Sequence, residues 1–252
     1  MKKSLVSFIF CLFLFVCGLA QTKITVAVAA NMQYTMEAVR DEFKKTDRTG
    51  IELIVGASGN LAQQIMQGAP FDIFLSADTS YPARLYENHF ALEAPKVYAQ
   101  GLLVLWTTKK NIHPGEDLKI LLNEEIKHIA IANPQIAPYG ASAVFILKKY
   151  DLFERVKSKL VMGESITQSS QYIATQAADI GFTAKSIVLS DKTKDKGQWS
   201  ELNKADYPPI LQAVVLLKHA QLSNSAAANR FYQFLFSEQA KNIFKKFGYL
   251  VQ

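Results

Sequence analysis

The sequence predicts an α/β fold of two lobes, each a mostly parallel sheet flanked by helices. Three observations carry this. Short β-rich apolar runs alternate with amphipathic helical segments. The alternation restarts after an apolar run at residues 101–107. The 252 residues are 49% hydrophobic and 20% charged, with only 12 glycines and 8 prolines. That supports a substantial core and leaves no room for a long low-complexity linker.

The elements follow in order. Lys23–Ala30 (KITVAVAA) reads as a strand, and Asn31 ends it as a helix cap. Met32, Met36, Val39 and Phe43 then recur at helical spacing. Ile51–Val55 is a second strand. Gly56-Ala57-Ser58-Gly59-Asn60 closes it, and Leu61 begins a second helix. Gly68-Ala69-Pro70 is a turn. Asp72–Ser76 is a third strand, and Asp78 starts another helix as its cap. Gly101–Thr107 is an apolar strand. A helix follows near Asp117–Leu122, then strand His128–Ala132, loop Asn133–Tyr139 and helix Gly140–Lys148. Leu160–Met162 is a short strand, Thr167–Gln176 a helix and Asp179–Thr183 a strand. Lys192–Lys204 reads as a charged surface loop. Ile210–Leu217 is a buried strand, and two helices (Ala226–Phe236, Glu238–Phe247) end the chain. The runs at 101–107 and 210–217 would join the lobes, with the terminal helices returning to the first. The expected division is residues 1–20 as leader, 21–101 with 210–252 as one lobe, and 102–209 as the other.

The leader corrects the charge. Lys2-Lys3 precede the uncharged run Leu5–Ala20, which ends Gly18-Leu19-Ala20. This is the anatomy of a secretory signal peptide cleaved after Ala20. The run is shorter than the ~20 residues of a spanning helix. A lipoprotein acylated at Cys17 would want a small residue where Val16 stands. Cleavage removes Lys2, Lys3 and both cysteines (Cys11, Cys17). It leaves 26 basic against 22 acidic residues, a net +4 in place of +6. A cysteine-free chain suits an oxidising compartment. No run of five like charges appears, so nothing supports a nucleic-acid partner.

In an α/β sheet, ligands bind beyond the carboxyl ends of strands, where helix N-termini favour anions. Four junctions offer small and polar residues there: Ala29-Ala30-Asn31, Gly56–Asn60, Pro138–Ser142 and Glu164–Thr167. The side chains of Asn31, Ser58 and Tyr139 can donate hydrogen bonds. A Ser or Asn at one helix start is usually a cap; four junctions split between two lobes suggest a ligand. The competing class is a secreted α/β hydrolase using Ser58. Its G-x-S-x-G elbow is broken by Asn60. The four histidines (His89, His113, His128, His219) lack metal-ligand spacing and read as solvated surface. No dinucleotide or Walker fingerprint is present, so the chain reads as a binding protein and not an enzyme.

The order KITVAVAAN, VGASGNLAQQIMQGAPFDIFLSAD, IANPQIAPYGASA, DIGFTAKS and FLFSEQAKNIFKKFGY resembles the periplasmic molybdate-binding proteins of ABC transporters, over nearly the whole chain after the leader. The resemblance implies a type II solute-binding fold whose two lobes close over one tetrahedral oxyanion. It implies a periplasmic protein, monomeric and without cofactor, that delivers its ligand to a membrane permease with a cytoplasmic ATPase. It further implies that molybdate, and tungstate with it, would meet Ala30, Asn31, Ser58, Tyr139 and Ile166. Ser58 matches a family serine directly. Asn31 stands where a serine is common, Tyr139 where a backbone N–H is used, and Ile166 where an apolar residue donates its N–H. Many members carry a ligand tyrosine where this chain has Ala184, and the Tyr139 hydroxyl would replace it. None of the five candidates is charged. That favours a fully deprotonated oxyanion over phosphate, whose proton would reward a carboxylate; sulfate stays open, since cavity size is not legible. Molybdenum would be held as the oxyanion, with no direct protein–metal ligand. A ferric-binding relative would use more tyrosines than the one candidate.

Overall fold

The computed structural model describes residues 23–115 and 117–251; the expected leader and both cysteines lie outside them. The strands are β1 (Lys23–Ala29), β2 (Gly50–Gly56), β3 (Ile73–Ser76), β4 (Lys96–Gly101), β5 (Leu103–Thr107), β6 (Ile129–Ala132), β7 (Leu160–Gly163), β8 (Ile180–Ala184), β9 (Gln198–Glu201) and β10 (Ile210–Leu216). The helices are α1 (Gln33–Phe43), α2 (Ser58–Met66), α3 (Ser80–Glu87), α4 (Pro138–Lys149), α5 (Phe153–Val156), α6 (Ile166–Ala174), α7 (Lys185–Val188), α8 (His219–Ser223), α9 (Ser225–Phe234) and α10 (Glu238–Lys246).

The strands form two five-stranded sheets, ordered β2-β1-β3-β10-β4 and β7-β6-β8-β5-β9. The sheets repeat one plan. β1 is parallel to β2 and β3, and β10 is antiparallel to β3 and β4. Likewise β6 is parallel to β7 and β8, and β5 is antiparallel to β8 and β9. Each sheet is therefore mixed, with as many antiparallel as parallel pairings, where the sequence predicts a mostly parallel one. The reason lies in the connections. β5 and β10 enter their sheets directly from the other sheet, with no crossover helix to turn them parallel.

The expected strand Gly101–Thr107 is divided at Leu102. Lys96–Gly101 belongs to the first sheet and Leu103–Thr107 to the second. The apolar run hides the crossing because both sides of it are buried. The return runs through residues 202–209, and β10 lies wholly in the first sheet. Within the expected loop Lys192–Lys204, Gln198–Glu201 is a strand. Trp199 pairs with Trp106, whose Nε1 donates to Lys196 O at 2.8 Å. The short helices α5, α7 and α8 carry too little periodicity to be read from sequence.

Strand alternation places the cores. In β1, Ile24, Val26 and Val28 face α1 and the C-terminal helices, with Met36, Val39, Phe231 and Phe244. Ala27 faces the other side with Leu61, Ile65 and Phe74. Both faces are buried, as a helix-covered sheet requires. Phe43 and Phe231 meet edge to face at 5.2 Å, so the terminal helices pack on the first sheet. Truncating a buried phenylalanine of this kind costs ~3–5 kcal/mol.

Candidate functional site

The repeated plan brings four helix starts together. β1 and β2 are neighbours in the first sheet, and β6 and β7 in the second. A 3-10 turn (Ala30–Met32) follows β1, α2 follows β2, α4 follows β6 and α6 follows β7. Ala30, Asn31, Ser58, Tyr139 and Ile166 all line one cavity, with Ala29, Ala57, Ala77, Ala137 and Pro138. No described lining residue is charged; Glu164 of the fourth junction is exposed and outside the lining. The alanines keep the wall thin, so backbone can approach a ligand.

Residues in the first turn of a helix have N–H groups without an intrahelical partner. Asn31, Ser58, Tyr139 and Ile166 occupy such positions, whereas the Gly59 N–H is taken by Ile136 O at 2.9 Å. Four partial positive helix ends therefore converge on a small, neutral cavity. That arrangement attracts an anion without a counter-cation.

Ser58 is buried, and its Oγ accepts the Ala77 N–H at 3.1 Å. It does not cap its own helix, whose N-cap is Ala57 without a side-chain bond. The hydroxyl proton is thus free to be donated. A nucleophilic role would need a base, and none of the four histidines is among the described residues that line the cavity. His219 Nδ1 contacts the buried Asp72 at 2.9 Å, so His219 is no free surface group, and His113 meets Gln198. Asp78 lies one residue before the N-cap of α3, Thr79, and still serves the first turn, accepting Tyr81 N–H at 3.2 Å and Ser80 Oγ–H at 2.8 Å.

Asn31 departs from expectation. It is not a cap; it sits inside the 3-10 turn, buried. Its Nδ2 donates to Gln212 Oε1 at 2.8 Å and to Tyr249 Oη at 2.9 Å. Gln212 Nε2 in turn donates to Ile210 O at 3.1 Å, which fixes both amide orientations. Both hydrogens of the Asn31 carboxamide are therefore used inside the protein. What Asn31 offers the cavity as a donor is its backbone N–H. Gln212 lies at a register shift in β10, the kind of bulge that re-aims a side chain next to a site.

Tyr139 lies in the first turn of α4 and not in the preceding loop. Its hydroxyl is buried near the Asn31 side chain with no well-formed hydrogen bond among the described residues, and it rests against Gly101 at the sheet crossing. A Cβ on Gly101 would fall 2.0 Å from it. Burial pushes the Tyr139 and Tyr249 hydroxyls well above their ordinary pKa, so both stay protonated donors. Ala184 ends β8, buried. Nearby, Ser186 Oγ donates to Asn31 O at 2.8 Å, and Tyr249 Oη lies 3.0 Å from that same oxygen. Thr167 Oγ1 donates to Ala30 O at 3.1 Å. Sequence reading missed Gln212, Ser186 and Tyr249 because each acts across a separation that no local pattern encodes. Ala77 had a weak signal in the Ser76-Ala77-Asp78 match.

Among the described residues no cluster of three or more His, Cys, Asp or Glu could hold a metal ion, and no helix is long and apolar enough to cross a membrane. The sequence profile described as bacterial extracellular solute-binding protein matches residues 24–250. The chain is 37% identical over 238 residues to the molybdate-binding protein ModA of Rhodobacter capsulatus, spanning 92% of this chain and 90% of that one. It is 35% identical over 240 residues to the molybdate-binding protein ModA of Azotobacter vinelandii, spanning 95% and 94%. The solved periplasmic molybdate-binding protein of Azotobacter vinelandii matches with a TM-score of 0.85 at 32% identity, over 91% of this chain and 99% of that one.

Proposed function

The chain belongs to the bacterial extracellular solute-binding protein family, and from that premise we propose that it captures molybdate, and tungstate with it, for an ABC importer. The observation that carries the reading is the convergence of four helix starts, two from each sheet, on a cavity without a charged residue. A tetrahedral dianion would take the backbone N–H groups of Asn31, Ser58, Tyr139 and Ile166 and the Ser58 hydroxyl. Charge-assisted bonds of this type are about twice as strong as neutral ones, and exclusion of water strengthens them further. The relatives named for molybdate supply the ligand's identity.

The donor set also bears on selection. A hydrogen phosphate would bring a proton that wants an acceptor, and the lining holds no carboxylate. Sulfate lacks that proton and is the nearest competitor, separated from molybdate by size. In this reading residues 21–101 with 210–252 form one lobe and 102–209 the other, and they close over the anion. The protein is exported by a signal peptide cut after Ala20. As a monomer it hands its ligand to a permease driven by a cytoplasmic ATPase. The chain turns over no substrate and needs no cofactor.

Titration calorimetry of the exported protein against molybdate, tungstate, sulfate and phosphate tests the ligand. Tight one-to-one binding of the first two, with weak or absent binding of the others, is expected. Preference for phosphate or a ferric complex would contradict it.

A further inference from the structure

We propose that Thr167 and Ser186 form the latch that holds the two halves shut over the ligand. The proposal rests on the oxyanion reading above and supplies its closing device. Both hydroxyls come from the half built on the second sheet: Thr167 from the first turn of α6 and Ser186 from α7. Both acceptors are backbone carbonyls of the 3-10 turn in the other half. Thr167 Oγ1 donates to Ala30 O at 3.1 Å, and Ser186 Oγ to Asn31 O at 2.8 Å. Neither hydroxyl serves its own helix. Ser165 caps α6 through the Gln168 N–H, and α7 has no side-chain cap at all.

The geometry couples the latch to the donors. The Ala30 carbonyl shares a planar peptide unit with the Asn31 N–H, and the two point in opposite directions. A hydroxyl bonded to the carbonyl polarises the unit and strengthens the N–H at its other end. Closure would thereby improve a ligand donor as well as shut the cavity. The first half prepares the landing place. Tyr249 Oη lies 3.0 Å from both Asn31 O and Ser186 Oγ, and its own position is set by Asn31 Nδ2. Ser186 therefore arrives at a pair of partners already in place. In an open cleft both hydroxyls and both carbonyls would bond to water, so each latch bond adds only modestly to closure. A carrier that must release its cargo needs a latch of that strength.

The test labels Gln64→Cys and Gln171→Cys with nitroxides. Both are exposed, on α2 and α6, and flank the groove between the halves; no other cysteine occurs after residue 17. Cleft width is read by electron–electron distance, and ligand dissociation by stopped flow, with molybdate, tungstate and sulfate as probes. Thr167→Val and Ser186→Ala should each raise the dissociation rate about 3- to 10-fold. Association should stay within about twofold, and the liganded distance should shift toward the open width. Thr167→Ser, which keeps the hydroxyl, should restore the parent values. Dissociation and distance like the parent's in both variants would overturn the latch, as would a Thr167→Ser as impaired as Thr167→Val. A parent that closes on sulfate but not molybdate would correct the ligand, and the same variants on sulfate then judge the latch. A parent whose width responds to none of the three anions would overturn the latch as well.

Discussion

Gln212 accepts the amide of Asn31 at 2.8 Å across 181 residues of sequence, and that bond decides how the first junction meets a ligand. Gln212 is itself oriented by Ile210 O. With its carboxamide held, Asn31 presents the backbone of its turn to the cavity.

Replacing Gln212 by Leu should therefore disturb binding without touching the cavity wall. One Asn31 N–H would be left buried and unpaired, at a cost of ~1–3 kcal/mol. Urea unfolding should show that loss, and calorimetry a weaker molybdate affinity. A Gln212→Leu protein with parental stability and affinity would mean that the amide network does not hold the turn.

Ser58→Ala removes the one lining hydroxyl that is free to donate and already oriented by a partner, Ala77 N–H. A hydrogen bond to a charged group is worth ~1.5–3 kcal/mol, so affinity should fall roughly 10- to 150-fold. Losing the acceptor for Ala77 should cost about 1 kcal/mol of stability besides. The stability loss alone, with affinity unchanged, would make Ser58 a structural residue only.

Gly101→Ala should hold the cleft open. The added Cβ would fall 2.0 Å from the Tyr139 hydroxyl, whose ring is buried and cannot swing aside cheaply. Small-angle scattering with molybdate present should report a larger radius than the parent's, together with reduced affinity. The double variant Gly101→Ala, Tyr139→Phe should recover part of both. If Gly101→Ala closes like the parent, the Tyr139 contact is not part of the closed state.

These residues also mark what was legible in the sequence. Ser58 and Tyr139 could be named because each sits at a strand-to-helix junction, a local feature with a local signature, whereas Ile166 was named only through the family resemblance. All five candidate residues line the one cavity. The role of the Asn31 side chain was not legible, because it is set by Gln212 and Tyr249, 181 and 218 residues away. The division of the run 101–107 at Leu102 was hidden for a related reason. Periodicity reports that residues are buried, and not which sheet buries them. The strand at Trp199 was lost among lysines, since an edge strand needs only one apolar face.

Binding should be flat with pH between about 6 and 9 for an anion that does not itself titrate there. Among the described residues the only titratable group in the lining is Tyr139, and burial pushes its hydroxyl well above the ordinary value. Calorimetry across that range is the check. A steep fall would indicate a charged group at the anion.

Stability, in contrast, should fall in acid. Arg230 hydrogen-bonds Asp47 at 2.6 Å and holds its carboxyl down to about 2, with burial opposing and Thr49 assisting. The folded-state value is depressed, so the contribution is complete above about pH 4 and is lost as pH falls toward 2. Arg230→Ala should cost ~1 kcal/mol at neutral pH and clearly less near pH 2, where about half of Asp47 is already protonated in the fold, while molybdate affinity stays unchanged. An equal deficit at both pH values would place the effect in packing and not in the ion pair.

The claim that a molybdate dianion is held by neutral donors between the two sheets is tested most directly by a crystal structure of the molybdate complex, with molybdenum located by its anomalous scattering. The account predicts one peak within the cavity. Its oxygens should meet the N–H groups of Asn31, Ser58, Tyr139 and Ile166 and the Ser58 hydroxyl, with no lysine, arginine or carboxylate in contact. A peak elsewhere on the molecule, or one coordinated by charged side chains, would contradict it.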